Sequence, residues 1–142
     1  MSAPLHPALV ALLDHLATDA SRASTSAAPL GLLRRLIATV PAAALVADDA
    51  GRYVLANTRA SELTGYTGAE LRRLSVWQLT PTPDEHDAET LWRAFLQRGN
   101  QHGDYQVLRK SGRIVSAAYA ARANVLPHLH VSLLRRYRAS SR

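Results

Sequence analysis

The sequence predicts an α+β domain built on a single antiparallel sheet. Three observations predict it. Helical apolar spacing gives way to short strand-like runs after residue 41, returns over residues 82–98, and gives way again. Turn residues, Asp48-Asp49-Ala50-Gly51 and Ser111-Gly112, separate the short apolar runs. Strands therefore gather at both ends of the region with helices between them, a pattern that favours one sheet with helices packed on it.

The elements follow in order. Leu5, Leu9, Leu12, Leu13 and Leu16 recur at helical spacing, with Pro7 in the first turn, and predict an amphipathic helix. Residues 19–28 carry no periodicity and read as a linker. Pro29 opens a second helix, whose apolar face is Leu30, Leu33, Leu36, Ile37 and Val40; Pro41 ends it. Ala43–Ala47 and Arg52–Ala56 read as a hairpin. Asn57 caps a short helix over Thr58–Leu63 that Gly65 closes. Thr67-Gly68-Ala69-Glu70 is a capping box, and Thr82-Pro83-Asp84-Glu85 is another. The helix after the second box carries the stripe Ala88, Leu91, Trp92, Phe95 and stops at Gly99. Asp104–Lys110, Arg113–Val125 and His128–Tyr137 complete five strands. The expected organisation is an amphipathic helix and linker at 1–28, a flanking helix at 29–41, the sheet domain at 42–138 and a tail at 139–142.

Composition narrows the function. The 142 residues contain no cysteine, so disulfides, thiolate metal sites and cysteine nucleophiles are excluded. The start of the chain lacks the basic and apolar regions of a signal peptide. No apolar run approaches the roughly 18 residues of a membrane span, so a cytoplasmic location without membrane contact is expected. The net charge is +6, and every basic residue except Lys110 is arginine. Arg34-Arg35, Arg72-Arg73 and Arg135-Arg136 are scattered pairs, as on a solvated surface. No Gly-rich phosphate loop, nucleophile triad or carboxylate pair stands out, and no catalytic residue is assigned.

Three motifs resemble one family. Asn57…Leu63-Thr64-Gly65-Tyr66…Glu70-Leu71 is similar to the Asn…Leu-Thr-Gly-Tyr…Glu-Leu core of PAS sensory domains of the S-box type. Asp49-Ala50-Gly51-Arg52 resembles the turn between the first two PAS strands, and Arg109-Lys110-Ser111-Gly112 the turn before the penultimate one. The resemblance covers residues 40–137. It implies a five-stranded antiparallel sheet with short helices on one face, preceded here by the amphipathic helices. It also implies a signalling module, commonly a homodimer, that holds a small ligand between sheet and helices and acts on a separate or fused output protein. A ligand-free module used only for protein–protein docking is the alternative.

The candidate pocket residues are Trp77, Leu91, Trp92, Phe95, Tyr105, Val107, Tyr119, Leu129 and Val131. A pocket among them is mainly apolar and suits a small apolar ligand. Small side chains at Ala117, Ala121 and Ala123, in phase with Val115 and Tyr119, leave room for it; Ala118 and Ala120 face the other way. Leu5, Leu9, Leu12, Leu13 and Leu16 must be buried somewhere, either in a dimer contact or over the sheet's open face, and the dimer contact is the expectation.

Cofactor identity stays open. A cysteine-dependent flavin adduct is excluded. Haem-sensing members of the family ligate iron through a histidine followed by aspartate, as in His86-Asp87. His86, however, falls opposite the apolar stripe, in line with Thr90, Arg93 and Gln97, which disfavours haem. His102, His128 and His130 show no metal-ligand spacing. A helix-turn-helix reading of Ser61, Gly65 and Leu71, with Arg72-Arg73 on phosphate, fails because Thr67-Gly68 interrupts the second helix, so nucleic acid is disfavoured as a partner.

Overall fold

The computed structural model describes residues 5–23, 28–81 and 85–137, without the side chains of Leu5 and residues 85–87. The capping box at 82–85 and the side chain of His86 fall outside this description. The elements are α1 (Leu5–Arg22), α2 (Pro29–Ala38), β1 (Ala43–Ala47), β2 (Tyr53–Ala56), α3 (Thr58–Thr64), α4 (Gly68–Leu71), a 3-10 turn (Val76–Leu79), α5 (Glu85–Arg98), β3 (Asn100–Leu108), β4 (Ile114–Leu126) and β5 (Leu129–Arg136). The five strands form one antiparallel sheet in the order β2-β1-β5-β4-β3. None of the described helices is long and apolar enough to cross a membrane.

Helices cover both faces of the sheet. On one face lie α1 and α2. Leu9, Leu13, Leu16 and Ala20 of α1 fall at i, i+4, i+7 and i+11 and are all buried. They pack with Leu32, Leu33 and Ile37 of α2 against Ala44, Val46, Ala118, Ala120, Val131 and Leu133 of the sheet. Within one chain these residues therefore cover the sheet, the alternative to the expected dimer contact. Leu9, Leu13 and Leu16 fold back onto the chain's own sheet, with Leu12 half-buried at the margin, while the side chain of Leu5 lies outside the described residues. The physical reason is the small residues of that face, Ala44, Ala118 and Ala120, which let a helix approach closely. Hydrogen bonds from His6 to Asp104 at 3.0 Å and from Arg122 to Asp14 tie the first turn and the middle of α1 to the sheet. The helix also runs through residues 19–22, read as linker, because Ala20 completes its stripe.

The opposite face carries α3, α4, the 3-10 turn and α5. Leu45, Leu63, Leu71, Leu79, Val107, Ala117 and Leu134 form its core. β1 is buried on both faces throughout, so it reads as a continuous apolar run without alternation.

Asn57 joins the layers. Its Oδ1 accepts from the N–H groups of Ala60 at 2.9 Å and Ala44 at 3.0 Å. Its Nδ2 donates to the carbonyls of Ile37 and Ala42, both at 2.9 Å. One amide therefore caps α3, ends α2 and pins the start of β1. The β3–β4 turn does similar work on the C-terminal end of α3. Arg109 donates to the carbonyls of Leu63 (3.0 Å) and Glu62 (3.2 Å), and Lys110 pairs with Glu70 at 2.6 Å.

Asn57→Ala should lower stability by about 3 kcal/mol, since buried groups lose partners. A drop of about 10 °C in the melting midpoint would register this. Asn57→Asp should be no milder, because it turns the Nδ2 donor into an acceptor facing two carbonyl oxygens.

Candidate functional site

Between the sheet and α5 lies a cavity of about 450 Å³. Its floor is the face of the sheet that α1 and α2 leave free. Leu45 of β1, Tyr105 and Val107 of β3, Tyr119 and Ala121 of β4, and Ser132 and Leu134 of β5 contribute to it. Leu63, Thr64, Trp77, Leu79, Leu91, Trp92 and Phe95 supply walls and mouth. Leu91 is 69% exposed and stands at the rim. None of the described lining residues carries a formal charge.

The structure therefore brings Trp77, Leu91, Trp92, Phe95, Tyr105, Val107 and Tyr119 around one space. Leu129 and Val131 are not there. They face α1 and α2 on the other side of the sheet, while His130, Ser132 and Leu134 take the cavity side. The reason is the choice between faces of β5. The more apolar face goes to the dry interface with α1 and α2, and the more polar face goes to the hollow. Sequence reasoning also missed Tyr53, Thr80 and Gln101, which line the cavity. The visible signal was Ser132, a polar residue inside a strand whose other face is apolar from Leu129 through Leu133.

Local structure holds the walls. In the β1–β2 turn, Asp48 Oδ1 accepts from the N–H groups of Ala50 (2.9 Å) and Arg52 (3.0 Å). Gly51 has φ +82°, and a Cβ built there would lie 2.8 Å from Trp77. Only glycine lets the turn seat that ring. The carbonyl of Gly51 accepts from Val76 N–H at 2.8 Å, fixing the 3-10 turn.

A polar cluster lies behind Trp92. Asp49 Oδ1 and Oδ2 accept from His130 Nε2 (2.7 Å) and His128 Nδ1 (2.6 Å). His130 is 2% exposed, and its Nδ1 accepts from the N–H of Asn124 at 2.8 Å. With Nδ1 accepting, the neutral ring carries its proton on Nε2. Trp92 joins the cluster, donating from Nε1 to the Asp49 carbonyl at 2.9 Å and meeting the His130 ring edge-on at 5.6 Å. His128 and His130, which looked isolated in the sequence, thus converge on the β1–β2 turn. Among the described residues, no group of three or more His, Asp or Glu side chains is placed to hold a metal ion. The helix-turn-helix reading has no support in the geometry, since α4 is four residues long.

A family model described as the PAS fold matches residues 31–123. Solved structures match as well. The PAS domain of an HTR-like protein from Haloarcula marismortui superposes with a TM-score of 0.64 at 20% identity, covering 82% of this chain and 98% of that one. A domain of a sensory box sensor histidine kinase/response regulator from Geobacter sulfurreducens gives 0.62 at 17% identity, with 75% and 92% covered. The PAS domain of a LuxR-family transcriptional regulator from Burkholderia thailandensis, in complex with ethanol, gives 0.61 at 17% identity, with 74% and 96% covered. No curated protein matches the chain.

Hydrogen bonds from His130 first and His128 second hold the Asp49 carboxyl below its ordinary value of 3.8. A depressed folded value means a contribution that is complete above the unfolded value and lost as pH falls through the folded one. Asp49→Asn should therefore melt below the wild type near neutral pH. The two melting curves should converge below pH 3.8, as a series of thermal melts against pH would record.

Proposed function

The chain belongs to the PAS family, and from that premise we propose that it is a sensory module whose cavity binds a small, mainly apolar ligand. The supporting observation is the 450 Å³ space between sheet and α5, whose described lining carries no charge, a volume within the range of small-molecule sites. A similar PAS domain has been solved with a small neutral molecule, ethanol.

Occupancy is read out through Trp92. Its ring borders the cavity, and its indole N–H holds the Asp49 carbonyl. A ligand that shifts Trp92 biases the Asp49–His130–His128 cluster, which joins the β1–β2 and β4–β5 turns. The shift is set by the difference in ligand affinity between the two arrangements. An output protein, fused or separate, responds to that bias. A homodimer belongs to this proposal, with its contact on a surface other than Leu9, Leu13 and Leu16, which are buried within the chain.

The second reading is a docking module with no ligand. Native mass spectrometry of freshly purified protein separates the two. An added small-molecule mass supports the sensor, and a visible absorbance band would distinguish haem or flavin from a colourless molecule. A clean protein mass that no added apolar compound changes would sink the sensor reading.

Both tryptophans of the chain, Trp77 and Trp92, line the cavity, so intrinsic fluorescence should report filling directly. Ala121→Phe, which places a ring in the space, should weaken binding at least about tenfold while the protein stays folded.

A further inference from the structure

The polar atoms of the cavity wall specify more than apolar character. Tyr53 is 6% exposed and lines the cavity, and its hydroxyl makes no hydrogen bond among the described residues. No fully buried side-chain polar atom in the described chain lacks a partner, so the Tyr53 hydroxyl reaches the open space. Tyr119 Oη accepts from Gln101 Nε2 at 2.7 Å, which leaves its own hydrogen without an acceptor among the described residues. Thr80 and Tyr105 hydrogen-bond to each other. Two hydroxyls carry two hydrogens and that bond uses one, so a third hydrogen is left over.

Tyr105 and Tyr119 stand with ring centroids 5.7 Å apart. Burial pushes the ionisation of Tyr53 and Tyr105 above the usual 10.0, so both are hydrogen-bond donors near neutral pH. Three hydroxyl hydrogens thus border a largely apolar space without an acceptor among the described residues. A ligand that fills the space without an acceptor buries these donors unmet, at roughly 1–3 kcal/mol each, whereas a ligand atom that accepts avoids that cost. A buried anion would lack a counter-charge, because the described lining contains none. A cavity of about 150 Å³ holds benzene, so 450 Å³ suits a body of roughly two or three rings.

We infer that the cavity selects a neutral, largely apolar molecule carrying a hydrogen-bond acceptor, of the ketone or quinone carbonyl class, met by the hydroxyls of Tyr53, Tyr105 or Thr80, and Tyr119. This deepens, and rests on, the reading of the cavity as a ligand site.

The test compares three probes by calorimetric titration of the full chain: 2-acetylnaphthalene, 2-ethylnaphthalene and 2-naphthoate. The ketone should bind at least about tenfold more tightly than the ethyl compound, as one well-placed hydrogen bond allows. Tyr53→Phe should remove most of that advantage and leave ethylnaphthalene within about twofold of wild type. Tyr119→Phe serves as the second variant if Tyr53→Phe does not fold. Equal binding of ketone and hydrocarbon, or a variant that weakens both alike, overturns the acceptor inference and leaves the ligand site standing. Tighter binding of naphthoate overturns the neutrality of the ligand. No binding of any probe overturns the ligand-site reading itself.

Discussion

The side-chain amide of Asn57 is the constraint on which the arrangement of layers depends. Its four hydrogen bonds reach α2, the start of β1 and the first turn of α3. A carboxamide has two donor hydrogens and an oxygen with two lone pairs, and here each finds one partner. The chain crosses from one face of the sheet to the other between α2 and α3, so fixing both helices to one strand sets where each layer begins. Neither an acid nor an aliphatic residue supplies that combination.

The two faces then diverge. The α1–α2 face is closed by a helix with a four-residue apolar stripe over small strand residues, and it packs dry. The other face is roofed by α3, α4 and the 3-10 turn at one end and by α5 at the other. Short helices cannot interdigitate along the whole sheet, and Ala121 in the cavity floor is too small to fill the gap. The hollow arises from that mismatch of lengths and volumes. Its aromatic rim and hydroxyl-bearing wall follow from the strand residues left facing it.

Connections between turns keep the hollow open. Gly51 seats Trp77, and Arg109 and Lys110 hold the carbonyl end of α3 and the start of α4. The Asp49–His130–His128 cluster draws the β4–β5 turn against the β1–β2 turn. Asn124 and His128 there adopt left-handed backbone, with φ of 54° and 64°. Asn124 repays the strain by accepting from His128 N–H at 3.0 Å. Two of the motifs that marked the family are therefore structural fasteners, and the cavity residues lie between them.

By itself the sequence determined the element order, the antiparallel sheet, the caps at Asn57 and Thr67, and the apolar stripe of α5. These depend on local periodicity and on hydrogen bonds a few residues apart, which a reader of the chain can count. It also put Trp92, Phe95, Tyr105 and Tyr119 together, because aromatics in phase on neighbouring elements face a common space. Only the tertiary structure decided what covers each face. Alternation along β5 shows two faces but not which partner each receives, so Leu129 and Val131 went to α1 and α2 while Ser132 went to the cavity. The same holds for the leucines of α1, whose stripe demands burial without naming a surface. Asp49, His128 and His130 meet across 79 and 81 residues of chain, a separation over which spacing carries no information. Burial and long-range pairing are settled by competition among whole surfaces, and that competition exists only once the chain is folded.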